Sequence, residues 1–276
     1  MALRCPRRCN CPRTAPRSRE RRFRHHRRHS PARCPDPVMR LLLLALLLCC
    51  APPVSAAADA PALKPFHAQY LTLRNGQEVG RTTLELRDNG DGSWTLRSDT
   101  RGTSGLARMA GVQVVETSRL RWRDGRPQPL RYDYRQDSVL KTRTRHADFD
   151  WAAQRVHVRE NGQDHDYASV PGLIDRQSVT LALALDLLRG ASRFEYAVAV
   201  ADQVEHMSYV RAADAVVTVP AGSFHSAVLV RDRIGRNHRR RVSRSWFAAQ
   251  LGYLPVQIEQ DDGKGDIVTL RLLQLD

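Results

Sequence analysis

Residues 66–275 are built from short runs in which apolar and polar side chains alternate, cut at short intervals by turn dipeptides. Period two sends successive side chains to opposite faces of a strand, so each run can bury only one face. Asn75-Gly76, Asp88 to Gly92, Asp124-Gly125, Asn161-Gly162 and Asp261 to Gly265 separate these runs, and such residues supply the backbone conformations that tight hairpins require. The runs read as strands at 66–74, 77–87, 93–101, 112–123, 130–138, 141–149, 155–160, 165–169, 193–200, 204–211, 215–219, 225–234, 239–247, 254–260 and 266–275. This pattern predicts a mainly β fold, a single large curved antiparallel sheet of half-barrel or barrel-like form. One segment breaks the period. Residues 175–189, DRQSVTLALALDLLR, open on an N-capping residue and end before Gly190, which reads as a helix. Its leucines lie all round the axis, so it should be buried, packed into the concave side of the sheet. Gly105 to Gly111 reads as a second, short helical turn.

Charge and cysteine are distributed unevenly. The chain carries a formal net charge of +15, yet residues 1–38 hold twelve arginines against Glu20 and Asp36. From Ala57 onward there are 31 basic and 27 acidic residues, and all six cysteines precede that point. The composition of residues 57–276 therefore argues against a nucleic-acid-binding domain or a disulfide framework. Met39-Arg40, the apolar run Leu41 to Leu48 and the small residues up to Ala56 form the three parts of a secretory signal, with cleavage expected after Ala56 and Ala58 as the alternative. The apolar run is shorter than a membrane span needs. Leu48 before Cys49 argues against a lipoprotein, because the residue preceding an acylated cysteine is normally small. Residues 1–38 read as sequence upstream of a true start at Met39. The organisation expected is thus 1–38 upstream and disordered, 39–56 signal peptide, and 57–276 one exported β domain, located in the periplasm.

Candidate functional residues form a ladder of cations at alternate positions. Arg119, Arg121 and Arg123 are followed by Arg131 and Arg135, by Lys141, Arg143 and Arg145, and by Arg155 and Arg159. If successive strands present these sets on one face, the result is either a solvated outer surface or an anion-facing one for lipid headgroups, lipopolysaccharide or another acidic envelope component. Arg231 to Arg244 is a second basic stretch. No catalytic signature, phosphate-binding loop, cofactor motif or metal-ligand spacing is present. Asp164-His165-Asp166 reads as a polar hairpin end, and the Asp-rich segments at 88–91 and 261–266 as turns.

The C-terminal half carries recognisable motifs. Val217 to Phe224 (VTVPAGSF), Trp246 to Glu259 (WFAAQLGYLPVQIE) and the closing run Ile267 to Leu275, with Tyr70 ahead of Val79-Gly80 and Asp175 to Ser178 opening the helix, resemble the exported bacterial family known as domain of unknown function 3108. The resemblance covers residues 66–275. It implies a Gram-negative periplasmic or envelope protein with a curved antiparallel sheet, similar in shape to lipoprotein-carrier half-barrels, and it brings no catalytic residues. The chain departs from the family pattern at Thr180 and Leu181, where an aromatic residue and an arginine are expected. Asp175, Ser178, Pro220, Gly222, Trp246, Gly252, Tyr253 and Pro255 are read as residues that specify the fold.

These readings converge on a non-enzymatic envelope protein without a cofactor or bound nucleic acid. Its ligand is expected to be amphipathic or acidic, with acyl chains in the apolar interior beneath the helix and acidic headgroups on the arginine face. The alternative is a structural module of the envelope that docks a protein partner and takes no small ligand.

Overall fold

A computed structural model describes residues 63–235 and 238–276; the expectations for residues 1–38 and for the signal peptide at 39–56 lie outside the described residues. The strands are β1 (Phe66–Arg74), β2 (Gln77–Asp88), β3 (Trp94–Gly102), β4 (Gln113–Arg123), β5 (Arg126–Asp137), β6 (Arg143–Asp150), β7 (Arg155–Glu160), β8 (Gln163–Ala168), β9 (Ile174–Asp175), β10 (Phe194–Ala199), β11 (Val204–Val219), β12 (Gly222–Ile234), β13 (Arg240–Ala248), β14 (Leu254–Asp261) and β15 (Ile267–Leu275). Two α-helices, α1 (Gly105–Met109) and α2 (Val179–Leu188), and a 3₁₀ turn at Ala249–Leu251 complete the described elements.

All fifteen strands belong to one sheet in the order β8-β7-β6-β5-β4-β3-β2-β1-β15-β14-β13-β12-β11-β10-β9. Chain neighbours are sheet neighbours, as expected when short turns connect alternating runs. Pairing of β1 with β15 joins the first strand to the last, and β9 alone runs parallel to its neighbour, β10. The edges are therefore β8 and β9, which are consecutive in the chain and separated by residues 169–173. Side chains pack across this open seam. Leu173 and Ala199 share a buried cluster with Tyr132, Phe149, Val156 and Val158, and the Tyr167 hydroxyl donates to the Val200 carbonyl at 2.7 Å.

The expected mainly β architecture is thus present, with two adjustments of detail. The runs at 204–211 and 215–219 are one strand, β11, whose register shifts between Ala212 and Ala215. The helix read at 175–189 spans Val179–Leu188, because Asp175 is committed to β9, bridged to Ala199. Gly190 ends the helix in a left-handed conformation, φ 68°, with its N–H bonded to the Leu187 carbonyl at 3.0 Å.

Helix α2 is buried on nearly every side. Val179, Ala182, Leu183 and Leu187 pack against Phe194, Tyr196, Val198, Leu229 and Phe247, while Leu181 packs with Tyr70, Leu86, Leu96 and Leu120. Its one buried acid, Asp186, accepts from the Tyr196 hydroxyl at 2.8 Å and lies 3.4 Å from Arg126. Protein side chains thus cover most of the helix surface, and an apolar cavity of about 590 Å³ lies along Thr180, Leu181, Ala184 and Leu188.

Short α1 rests on a glycine. A Cβ built at Gly102 would meet the Ala107 backbone at 2.6 Å, so only glycine permits this approach. Gly102→Ala is expected to displace α1 at a cost of about 1–3 kcal/mol, seen as a Tm lower by roughly 2–10 °C in thermal denaturation. An unchanged Tm would refute the close packing.

Candidate functional site

The hairpin registers divide the predicted cation ladder between two faces. In the β5–β6 pair, Arg131 stands opposite Asp148, Asp133 opposite His146 and Arg135 opposite Thr144. Odd positions of β5 therefore face even positions of β6. Arg119, Arg131, Arg135, Arg155 and Arg159 point away from α2, and Arg121 and Arg123 are also exposed. Arg143 and Arg145 instead share the helix-facing side with Ala147 and Phe149, and Lys141 lies in the turn before β6. A single face carrying all ten cations does not exist, because the five-residue β5–β6 turn sets a register of opposite parity.

Outward cations meet acids, some two residues along the same strand and others on neighbouring segments. Arg119 reaches Asp91 at 2.6 Å, Arg131 reaches Asp133 at 3.1 Å, Arg135 reaches Asp137 at 2.6 Å and Arg159 reaches Asp164 at 2.7 Å. Arg155 and His157 both contact Asp166. His146 sits between Asp133 and Asp148, each at 2.7 Å; its partial burial opposes protonation, yet the two carboxylates hold its pKa above the ordinary value. Such exposed pairs add little stability, but they neutralise the outer face. Asp164-His165-Asp166 and the Asp-rich turns have the ordinary roles expected of them: Asp88 and Asp261 accept backbone N–H groups two residues on, each at 2.8 Å. Among the described residues no group of three or more His, Cys, Asp or Glu side chains is arranged to hold a metal ion.

The helix-facing side holds the candidate site, a chamber of about 500 Å³. Arg143 and Arg145 of β6, Glu160 of β7 and Arg176, in the turn before α2, form one wall; Leu84, Val114, Ile258 and Leu270, from β2, β4, β14 and β15, interspersed with Thr82, Ser98, Thr100 and Gln260, form the other. Glu116, Tyr132 and Tyr134 lie between them. Arg145 is the least exposed of the three arginines and bonds Glu160. Arg143 and Arg176 make no ion pair among the described residues. The Tyr132 hydroxyl donates to Glu116 Oε1 at 2.5 Å. Burial raises the Glu116 pKa above the ordinary carboxyl value; the Tyr132 hydrogen bond and the Arg176 charge oppose this without cancelling it. The chamber thus has a cationic wall, an apolar wall and an acid biased toward its neutral form.

Arg176 is positioned by Asp175, the buried acid of the Asp175–Ser178 motif. Asp175 Oδ1 accepts the N–H groups of Gln177 and Ser178, each at 2.9 Å, and the Ser118 hydroxyl at 2.7 Å; Oδ2 accepts the Ser178 hydroxyl at 2.6 Å. This arrangement ties the turn before α2 to β4 and turns Arg176 toward the chamber. Thr180, where the family pattern expects an aromatic residue, lines the chamber.

The second basic stretch is also divided. Arg231 and Arg233 continue the helix-facing parity of Ala227 and Leu229, with Arg241 opposite Arg233. Arg231 and Arg233 share Glu205, at 2.5 and 3.5 Å. Burial, and then the Arg231 charge, lower the Arg233 pKa, with Arg241 and Arg176 adding to the effect. Asp232 and Arg240 pair with each other at 2.5 Å.

The remaining motif residues shape the sheet. Pro220 lies in the two-residue turn between β11 and β12, and Gly222 begins β12 at φ 138°. Gly252 and Tyr253 both adopt left-handed conformations, φ 63° and 60°, between β13 and β14. Pro255 stands beside the β13 irregularity at Trp246/Phe247, and its carbonyl accepts the buried Tyr70 hydroxyl at 2.8 Å. Trp246 packs on the cluster containing Tyr70, and Tyr253 on the one containing Phe247. Sequence reasoning missed Glu116, Tyr132, Tyr134 and Arg176 as site residues. The available signal was the parity of the β5–β6 turn, which transfers Arg143 and Arg145 to the face that Tyr132 and Tyr134 already occupy.

Residues 66–272 are matched by the family described as "Protein of unknown function (DUF3108)". No curated protein matches the chain. Among solved structures, a β-barrel-like protein of domain of unknown function DUF1849 from Brucella abortus superposes with a TM-score of 0.50 at 11% identity, covering 78% of this chain and 98% of that one. A putative exported protein with a YmcC-like fold from Bacteroides fragilis aligns over 78% of this chain and 97% of its own at 8% identity, with a TM-score of 0.30. The first of these likenesses shows a shared β-barrel-like fold.

Proposed function

The chain belongs to the DUF3108 family, and from its β-barrel-like fold and the composition of the chamber we propose that it is a non-enzymatic binding protein of the cell envelope that takes an amphipathic anion. The observation that carries this reading is the pairing of opposed walls in one cavity: Arg143, Arg145 and Arg176 face Leu84, Val114, Ile258 and Leu270. A volume near 500 Å³ falls in the range of small-molecule sites, and polar side chains make up more of the lining than apolar ones. The acidic head of the ligand meets Arg143 and Arg176, which make no ion pair among the described residues, and its apolar body lies on the opposite wall. The signal-like segment ending at Ala56 supports placement in the envelope.

Titration of the full chain with lauroyl lysophosphatidylglycerol, followed by calorimetry, tests the reading. Saturable binding is expected, weaker for zwitterionic lysophosphatidylcholine and weakened by salt. The double variant Arg143→Ala/Arg176→Ala is expected to lose roughly 10- to 100-fold in affinity, the range of one charge-assisted hydrogen bond, while Tm stays level because both side chains are exposed. Equal affinity of variant and parent would sink the proposal.

A further inference from the structure

The turns at 75–76, 103–112, 138–142, 161–162, 200–203 and 262–266 all fall at one end of the sheet. The chamber opens toward this end, since Thr100, Val114, Arg143, Asn161 and Gln260 of its lining lie at strand termini there. Two of these turns present large apolar side chains to solvent. Leu106 and Met109 of α1 are 82% and 77% exposed, and Val139 and Leu140 of the β5–β6 turn are 73% and 92% exposed.

These are anchored tips. Helix α1 has no buried residue of its own, yet it is fixed on both sides: the Ser104 hydroxyl donates to the Glu78 carbonyl at 2.5 Å, Thr103 N–H to Val79 at 3.0 Å and Val112 N–H to Ala107 at 3.0 Å. The Val139 N–H donates to the Ala110 carbonyl at 2.9 Å, which joins the two tips into one surface. Three-residue spacing puts Leu106 and Met109 on the same face of α1, away from the Gly102 contact made by Ala107. Within the two segments the charge has one sign, and the flanking acids Glu78 and Asp137 are paired with Arg81 and Arg135. Arg108 and Lys141 lie in these segments, and neither 104–112 nor 138–142 contains an acid.

We propose that this end of the protein docks on an anionic lipid bilayer, with Leu106, Met109, Val139 and Leu140 seated at the headgroup boundary and Arg108 and Lys141 on lipid phosphates. Aliphatic tips flanked by cations match an anionic interface in both chemistry and charge. Protruding side chains suit fluid hydrocarbon, which moulds itself around them; a protein partner would have to provide preformed pockets of matching spacing. Docking brings the chamber mouth to the membrane, but it uses different residues from the ligand proposal and stands or falls apart from it.

Hydrogen exchange of the full chain, read by mass spectrometry with vesicles of phosphatidylglycerol and phosphatidylcholine, tests this surface directly. Slower exchange is expected in 104–112 and 138–142, with no change at the opposite-end turns 124–125 and 252–253 and none in either segment with phosphatidylcholine alone. Leu106→Ser/Met109→Ser/Val139→Ser/Leu140→Ser is expected to reduce vesicle partitioning by about tenfold or more with Tm unchanged, since the removed groups are solvent-exposed. Because the local readout separates these tips from the arginines of residues 1–38, vesicle binding without protection at 104–112 and 138–142 overturns the proposal. Absence of binding to phosphatidylglycerol vesicles, or full binding by the serine variant, overturns it as well.

Discussion

Asp175→Ala is expected to remove about 3 kcal/mol of stability, because it leaves buried donors without an acceptor. For a domain of this size the loss corresponds to a Tm lower by roughly 10 °C in calorimetry. Four hydrogen bonds end on this carboxylate, two from the backbone of the turn before α2 and two from Ser118 and Ser178. Burial outweighs those bonds and raises the Asp175 pKa. A raised folded-state pKa gives stability that is complete below the unfolded value and is lost as pH rises through the folded one. Asp175→Asn keeps one acceptor oxygen and carries no ionisation cost, so its smaller deficit should narrow further as pH rises above the carboxyl range. A Tm for Asp175→Ala within a degree of the parent would show that α2 is held by its leucines alone.

That helix shows how far the sequence carries the fold. The capping acid, the leucine-alanine body and Gly190 announce a buried helix, since composition and end signals are local. Its starting residue is not local. Asp175 opens the segment as an acid suited to capping, yet pairing with β10 makes it a strand residue whose side chain holds the turn before α2 through the Gln177 and Ser178 N–H groups. Strands are legible for the same reason, and the hairpin turns fix most of their boundaries. Face assignment is where the reading stops short. Alternation within β6 shows that Arg143 and Arg145 share a side, but the side is set by the register across the β5–β6 turn, which determines whether they meet Arg131 and Arg135 or Tyr132 and Tyr134. Neutralisation of the outer face by Asp91, Asp164 and Asp166 depends on β3–β4 and β7–β8 neighbours in the same way. The chamber gathers residues from β1 to β7, β14, β15, α2 and the turn before it, and no local pattern links elements so far apart in sequence.

Glu116→Gln separates the electrostatics of the chamber from its shape. The amide preserves an acceptor for the Tyr132 hydroxyl and removes the only acid on the chamber floor that Arg145 does not bond. Two unit charges about 5 Å apart at an effective dielectric near 20 repel by about 3 kcal/mol, and water in the chamber reduces this. At about pH 8 the variant is therefore expected to bind lysophosphatidylglycerol roughly 10-fold more tightly than the parent. As pH falls toward the ordinary carboxyl value of 4.5, the parent takes up its own proton and the advantage should vanish. Stability follows the same sign. The raised Glu116 pKa means that its contribution is complete below the unfolded value and declines as pH rises through the folded one, so Glu116→Gln should be the more stable protein at higher pH and equal to the parent near the lower limit. Calorimetric titrations and melts at paired pH values check both. An affinity that stays level between parent and variant at the higher pH would mean that the anionic head does not rest against this wall, even if the ligand binds.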